Sequence, residues 1–241
     1  MSNFHGLVIG ASSAIGQAIL DILEQDPNCN GIIAVSRSEN SQQNIGKVSF
    51  IQCDYQQESI ENVCQNLTSW QGKIHKVFIC NGLLHDETMQ PERKIESVNA
   101  AQMAASFQAN SITPMLWLKS LLPVLNGSSA TQVAVFSARV GSISDNKMGG
   151  WYSYRASKAA LNMLIQTSAV EYARRAKNVK FIAFHPGTTD TPLSQPFQRS
   201  VPQDKLFTPS FVAQQLLTLM NTIPMDNQAA YMDWNHQEIK W

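Results

Sequence analysis

The sequence predicts an α/β protein built as one domain around a parallel sheet, and three observations point there. Short apolar runs rich in β-branched residues recur along the chain, helical patterns alternate with them, and the length of 241 residues matches α/β units, which reach roughly 250 residues around one sheet. The runs are Leu7-Val8-Ile9, Ile32 to Val35, Val48 to Ile51, Val77-Phe78-Ile79, Val133 to Phe136, Val179 to Phe184 and, more weakly, Ala229 to Met232. They are continuous rather than alternating, as suits strands buried on both faces. Between them, Ile15, Ile19, Ile22 and Leu23 share one helical face, as do Ile60, Val63, Cys64 and Leu67. Such alternation implies right-handed βαβ crossovers. Two longer helices are expected from about Ala100 to Leu122 and from about Trp151 to Ala176. A last one should run from about Ser210 to Asn221 with Val212, Leu216, Leu219 and Met220 inward. The stretch from Thr188 to Thr208 holds Pro192, Pro196 and Pro202 and few periodic apolar positions. It reads as a long loop covering the active site, since irregular segments of that length in compact domains are usually functional.

Composition narrows the function classes. Hydrophobic residues make up 44% and charged residues 15%, which supplies a core and leaves no charge-rich disordered tract. Eighteen basic residues balance eighteen acidic ones, so no net field recruits nucleic acid or an anionic membrane. Cys29, Cys53, Cys64 and Cys80 form no CxxC pair and no ligand spacing with His, so no metal site is expected and the thiols read as free, in a reducing compartment. The start, Met1 to His5, lacks the basic and apolar regions of a signal peptide, and no run approaches ~18 apolar residues. A soluble, cytoplasmic protein is expected.

The chemistry-bearing residues begin with Gly10-Ala11-Ser12-Ser13-Ala14-Ile15-Gly16, between the first strand and first helix. Small residues there let backbone N–H groups and the helix N-terminus approach a pyrophosphate, although an ordinary tight turn has the same look in isolation. At the end of the second strand, an NAD-selective site places a carboxylate on the ribose 2′-hydroxyl; this chain has Ser36-Arg37, and an uncharged residue beside a guanidinium suits a 2′-phosphate. Asp54 closes the third strand, where it either accepts from an adenine amino group or serves as a turn residue. Tyr154 and Lys158 lie four residues apart in a predicted helix, so phenol and ammonium share a face, and a nearby cation favours phenolate. Asn110 precedes Pro114 by four; a proline cannot donate to the i−4 carbonyl, so that of Asn110 either holds an ordered water beside Lys158 or marks a kink shaped by packing alone.

With these residues assembled, the chain resembles the short-chain dehydrogenase/reductase family from end to end. The likeness rests on the glycine turn at 10–16, Asn81-Gly82, Asn110, Tyr154 with Lys158, and Pro186-Gly187 with Thr191. The runs Val140-Gly141-Ser142-Ile143 and Gly149 to Arg155, then Ser157 to Asn162 and Trp241, resemble its sniffer-like carbonyl reductase and C-factor branch. The resemblance implies a single Rossmann domain, a doubly wound parallel sheet of about seven strands with helices on both faces. It also implies NADP(H) as cofactor and an Asn, Ser, Tyr, Lys catalytic set. By that pattern Lys158 binds the nicotinamide ribose and tunes Tyr154, Thr188 and Thr191 touch the carboxamide or pyrophosphate end, and Asn81 braces the fourth strand. A homodimer or homotetramer through the long helices is expected, acting on a small carbonyl or alcohol.

Several positions depart from the family pattern. Ala14 replaces the central glycine of the first motif, and Cys80-Asn81-Gly82-Leu83 keeps one of two usual asparagines. Aligning by the fifth-strand end puts Ala138 where the substrate-binding serine is expected, beside Ser137; counting back twelve residues from Tyr154 favours Ser142 instead. Leu83, Leu84, His85, Val140 to Met148 and Leu193 to Phe207 are the expected pocket walls. The reading is a carbonyl reductase or alcohol dehydrogenase, with a cofactor-binding signalling protein of the C-factor kind as the alternative.

Overall fold

The computed structural model describes residues 3–38 and 44–241, so the Met1 and Ser2 part of the predicted leaderless start lies outside the described residues. In chain order come β1 (Phe4–Ile9), α1 (Ala14–Gln25), β2 (Cys29–Ser36), β3 (Asn44–Ile45), β4 (Val48–Gln52), α2 (Gln57–Asn66) and β5 (Lys76–Ile79). Then follow α3 (Ala100–Phe107), α4 (Thr113–Leu125), β6 (Thr131–Phe136), α5 (Tyr152–Arg175), β7 (Val179–His185), β8 (Thr188–Thr189), β9 (Leu206–Phe207), α6 (Pro209–Thr222) and β10 (Ala229–Asp233). All seven predicted strands are present and mutually parallel, in the order β10-β7-β6-β5-β1-β2-β4, and short β3 adds an antiparallel edge beside β4.

Residues alternate between two cores, as the two-residue period of a strand requires. Leu7, Ile9, Val77, Ile79, Val133 and Val135 face α2, α4 and α5 through Ile60, Val63, Leu118, Leu121, Leu161 and Ile165. Val8, Ala34, Phe78, Ala134 and Ile182 face α1 and α6 through Ile19, Leu23, Val212, Leu216 and Met220. Each large aliphatic so buried contributes about 1.5–3 kcal/mol relative to exposure. The stripes at i, i+3 and i+4 therefore decide where these helices lie.

Strand order reverses between β1 and β5, since β1 passes on to β2 while β5 passes on to β6. The crevice outside their carboxyl ends is where open α/β sheets bind ligands. Gly10 follows β1 there with φ 81°, and a Cβ on it would come within 3.1 Å of the Cys80 carbonyl carbon.

Two expectations are corrected in detail. The single helix expected from Ala100 to Leu122 is interrupted by a π-helical turn at Gln108–Ile112, where the Thr113 N–H reaches the Gln108 carbonyl. Pro114, which has no N–H to offer Asn110, accounts for the break in the regular ladder. The segment Thr188 to Thr208 is not irregular throughout: 3-10 turns span Gln195–Ser200 and Gln203–Lys205, and β8 pairs in parallel with β9.

His185, at the end of β7, is held below its usual pKa of 6.5, at about 4, by burial first and then by Arg139, against the opposing pull of Asp233 and Asp145. The folded pKa lies below the unfolded one, so the unfolded chain binds the extra proton. Stability is present above pH 6.5 and is lost as pH falls towards about 4. His185→Gln should therefore lose less Tm than the wild type across that window, as followed by circular dichroism; parallel losses in both would assign the acid sensitivity elsewhere.

Candidate active site

The glycine turn is closed by its own side chain. Ser13 caps α1, its hydroxyl accepting the Gly16 N–H at 3.0 Å and donating to the Gly10 carbonyl at 2.7 Å. A Cβ on Gly16 would lie 2.4 Å from the Gly10 oxygen, so only glycine permits this approach. Ser12 stands exposed at the mouth, while Ala14 and Ile15 begin the helix half-buried. No acidic residue occupies the first turn of α1, which leaves the positive end of the helix dipole available to an anion.

At the end of β2, the Ser36 hydroxyl donates to the Ser38 carbonyl at 3.1 Å and Arg37 is exposed. Asp54 is also exposed, but one carboxylate oxygen accepts the Gln56 N–H at 2.9 Å. That bond is the leading cause that holds its pKa below the ordinary value. The Asp54 side chain thus makes the turn contact weighed for it, and Ser59 adds to the same lowering.

Across the crevice, the Asn81 Oδ1 is buried without a hydrogen-bond partner. Gly82 is open, and a Cβ placed on it would be 3.8 Å from both Asn110 Oδ1 and Lys158 Nζ. Asn110 is fully buried in the π turn. Its Nδ2 donates to the Leu83 carbonyl at 2.8 Å and to Ser157 Oγ at 3.1 Å, and its Oδ1 accepts the Leu83 N–H at 2.8 Å. The sequence pointed to the Asn110 carbonyl. The side chain does separate work, bracing the β5 loop against α5. Ser111 reinforces it by donating to the Ser157 carbonyl at 2.6 Å.

Helix α5 has no cap of its own: Trp151 sits in the left-handed region at φ 52° and offers no capping side chain. The carboxylate of Glu92, 3% exposed, accepts the Ser153 N–H at 3.2 Å and the Ser153 hydroxyl as well. This places a negative charge at the helix N-terminus one residue before Tyr154. Neither Glu92 nor Ser111 carried a sequence signal, and Ser157 figured only in the family likeness, because each acts across elements distant in the chain.

Lys158 is 2% exposed, donates from Nζ to the Phe136 carbonyl at 2.8 Å, and lies 5.9 Å from the Tyr154 ring centroid. Burial pulls its pKa down to about 7. Tyr154 is half-buried, and burial, with Tyr231 adding to it, pushes its phenol above the ordinary value. This corrects the expectation that Lys158 lowers the phenol. Desolvation disfavours charge on both partners and is the leading cause of each shift.

The serines turn elsewhere. Ser137 Oγ donates to Asn162 Oδ1 at 2.6 Å, one helical turn beyond Lys158. Ser142 Oγ donates to the Lys240 carbonyl at 2.5 Å and accepts the Asp145 N–H at 3.3 Å. Both are buried, and the Ser142 hydroxyl, which the count back from Tyr154 favours, is engaged by the C-terminal segment. Ala138 is half-buried at the strand end, and its carbonyl accepts the Tyr231 hydroxyl at 2.6 Å.

On the far side of the crevice, Pro186 leads into Gly187, whose φ of 73° keeps the chain clear of Phe207; a Cβ there would lie 2.7 Å from that ring. Thr188 and Thr189 form β8, Thr191 Oγ1 donates to the Thr189 carbonyl at 3.3 Å, and Thr189 Oγ1 is buried without a partner. The segment beyond them is tied down twice. His85 Nε2 lies 3.2 Å from the Pro192 carbonyl, and the Phe197 ring contacts His85 at 5.5 Å and Trp151 at 5.0 Å between centroids. Trp151 in turn lies edge-on to Tyr154 at 6.2 Å. Of the expected walls, Leu84 is buried beneath the site, whereas Ile143 and Met148 are 79% and 91% exposed and stand out into solvent. The crevice thus has a helix N-terminus, a side-chain-free floor at Gly10 and Gly82, and unpartnered polar atoms at Asn81 and Thr189, features that fit a dinucleotide.

A model of the short chain dehydrogenase family matches residues 5–201. The chain is 27% identical over 144 residues to C-signal of Myxococcus xanthus, covering 60% of this chain and 81% of that protein. Its fold matches the NADPH-bound carbonyl reductase from chicken fatty liver with a TM-score of 0.85 at 20% identity, covering 100% of both chains. It matches the carbonyl reductase Sniffer of D. melanogaster with a TM-score of 0.83 at 17% identity, again over 100% of both. With the family model spanning the crevice from the glycine turn through Tyr154 and Lys158 to Thr191, the chain belongs to the short-chain dehydrogenase family of oxidoreductases.

Proposed function

We propose that the protein is an NADP(H)-dependent carbonyl reductase or alcohol dehydrogenase acting on a small molecule. The observation that carries this reading is that Lys158 Nζ and Asn110 Oδ1 both face Gly82, each 3.8 Å from where a Cβ on that glycine would lie, at the point where strand order reverses, with Tyr154 in the same helix as Lys158. Bound reduced nicotinamide supplies the hydride. Tyr154 gives its hydroxyl proton to the oxygen of the carbonyl as negative charge develops there. Lys158, pinned through Phe136, keeps further N–H groups for the nicotinamide ribose and for restoring the Tyr154 proton. Pro186, Gly187, Thr188 and Thr191 line the nicotinamide end, and Asn81 braces it. Gly10 to Gly16 hold the pyrophosphate, Asp54 the adenine, and Ser36 with Arg37 the ribose 2′-phosphate. The segment 188–208, fastened through His85 and Phe197, covers the substrate.

A second reading, a cofactor-binding signalling protein with little turnover, is favoured by one observation, Ala138 at the serine position. The two part on a panel of carbonyl substrates followed by NADPH absorbance. We further propose a cytoplasmic homodimer or homotetramer through α4 and α5, where Met163 and Val170 are exposed. Arg37→Ala tests the cofactor: it should weaken NADPH binding by roughly tenfold or more, the scale of a lost charge-assisted hydrogen bond, and leave NADH binding nearly unchanged. Calorimetry showing that the wild type prefers NADH would overturn the assignment.

A further inference from the structure

We infer that Tyr55 is a specificity-determining residue for the cofactor's 2′-phosphate, its ring holding the Arg37 guanidinium over the site while its hydroxyl joins the glycine turn to β2. The inference rests on the proposed use of NADP(H) and deepens it. Tyr55 follows Asp54 and adopts φ 67°, the left-handed region that bulky side chains rarely occupy. Four contacts surround that side chain. The ring stands edge-on to Trp117, with centroids 6.0 Å apart. The hydroxyl accepts the Gly10 N–H at 3.0 Å and reaches the Val35 carbonyl at 3.3 Å, with the phenol as donor. The guanidinium carbon of Arg37 lies 5.9 Å from the ring centroid. Burial pushes the phenol pKa up to about 12, so the hydroxyl is neutral and both donates and accepts.

Gly10 begins the pyrophosphate turn, and Val35 precedes Ser36 and Arg37. One side chain therefore touches the backbone of both phosphate-reading segments and the cation of one of them. An exposed arginine otherwise samples many rotamers. A π face within ~6 Å limits that freedom and leaves the N–H fork free to meet a phosphate. NADH has no 2′-phosphate, so the ring's contribution to Arg37 is felt by NADPH alone, whereas a Tyr55 that merely supported the fold would affect both cofactors alike.

The test titrates the full chain with NADPH and NADH by calorimetry and reads the ratio of the two Kd values. Tyr55→Phe keeps the ring and should keep that ratio, weakening both cofactors by a similar factor. Tyr55→Asn tolerates the backbone conformation, removes the ring, and should reduce the NADPH preference about threefold to fivefold. In an Arg37→Ala background, Tyr55→Asn should leave the ratio unchanged. If the asparagine variant is unfolded by circular dichroism, Tyr55→Leu, which keeps apolar bulk against Trp117 without a π face, takes its place and should reduce the NADPH preference by about the same threefold to fivefold. A wild-type preference for NADPH that survives loss of the ring overturns this role alone. An equal loss of preference in Tyr55→Phe, or an effect that persists without Arg37, also overturns it. A wild type with no NADPH preference overturns the proposed cofactor and this role together.

Discussion

Tyr154→Phe is expected to bind NADPH as the wild type does while turnover falls by ~10²–10⁴-fold, the usual contribution of a positioned general acid. The substitution removes only the hydroxyl and leaves the ring against Trp151 and Lys158. Hydride addition to a neutral carbonyl creates alkoxide charge that must be met by a proton, and the phenol is suited to supply it: burial keeps it protonated well above neutral pH. The same burial makes phenolate costly, so alcohol oxidation, which needs a base, should be the direction that gains more as pH rises. Single-turnover kinetics on any carbonyl the wild type reduces would check this. A variant retaining near wild-type rate with unaltered cofactor binding would remove Tyr154 from the mechanism.

The second large effect is a gain. Ala138→Ser is expected to raise carbonyl turnover by up to about a hundredfold, because a hydroxyl bonded to developing alkoxide is worth ~3 kcal/mol in comparable oxyanion contacts. Ser137→Ala and Ser142→Ala should change turnover by no more than a few-fold, since their hydroxyls already donate to Asn162 and to the Lys240 carbonyl. Removing the Ser137 hydroxyl leaves the buried Asn162 Oδ1 without that donor, which costs about 1–3 kcal/mol of stability, whereas the acceptor of Ser142 belongs to exposed Lys240 and should cost less; a lowered Tm with intact kcat is the expected signature of Ser137→Ala. A hundredfold loss of kcat in Ser142→Ala at unchanged Tm would instead make Ser142 the substrate-binding hydroxyl, with a rearranged C-terminal segment. If Ala138→Ser leaves a slow wild type slow, the signalling reading gains the stronger claim.

Much of the site was readable because its chemistry lies in local spacing. Gly10 to Gly16 form one turn, Tyr154 and Lys158 share one helical face, and Ser36 with Arg37 are adjacent. Residues that act across distant segments were not readable. Glu92 caps α5 from the β5 loop, Phe136 offers Lys158 a carbonyl from β6, and Tyr55 reaches back to Gly10 through forty-five positions of chain. None of these partners announces itself by residue type.

The sequence by itself determined the seven parallel strands, the alternating helices and the identity of the groups at the crevice, since hydrophobic period and short motifs are properties of neighbours in the chain. Only the tertiary structure decided the protonation preferences of Tyr154 and Lys158, because desolvation depends on everything packed around them and here outweighs the attraction that their spacing suggested. It also decided the serines. A count of residues back from Tyr154 measures chain length, whereas a hydroxyl's role is set by the nearest acceptor in space, and for Ser142 that acceptor is a carbonyl ninety-eight residues away.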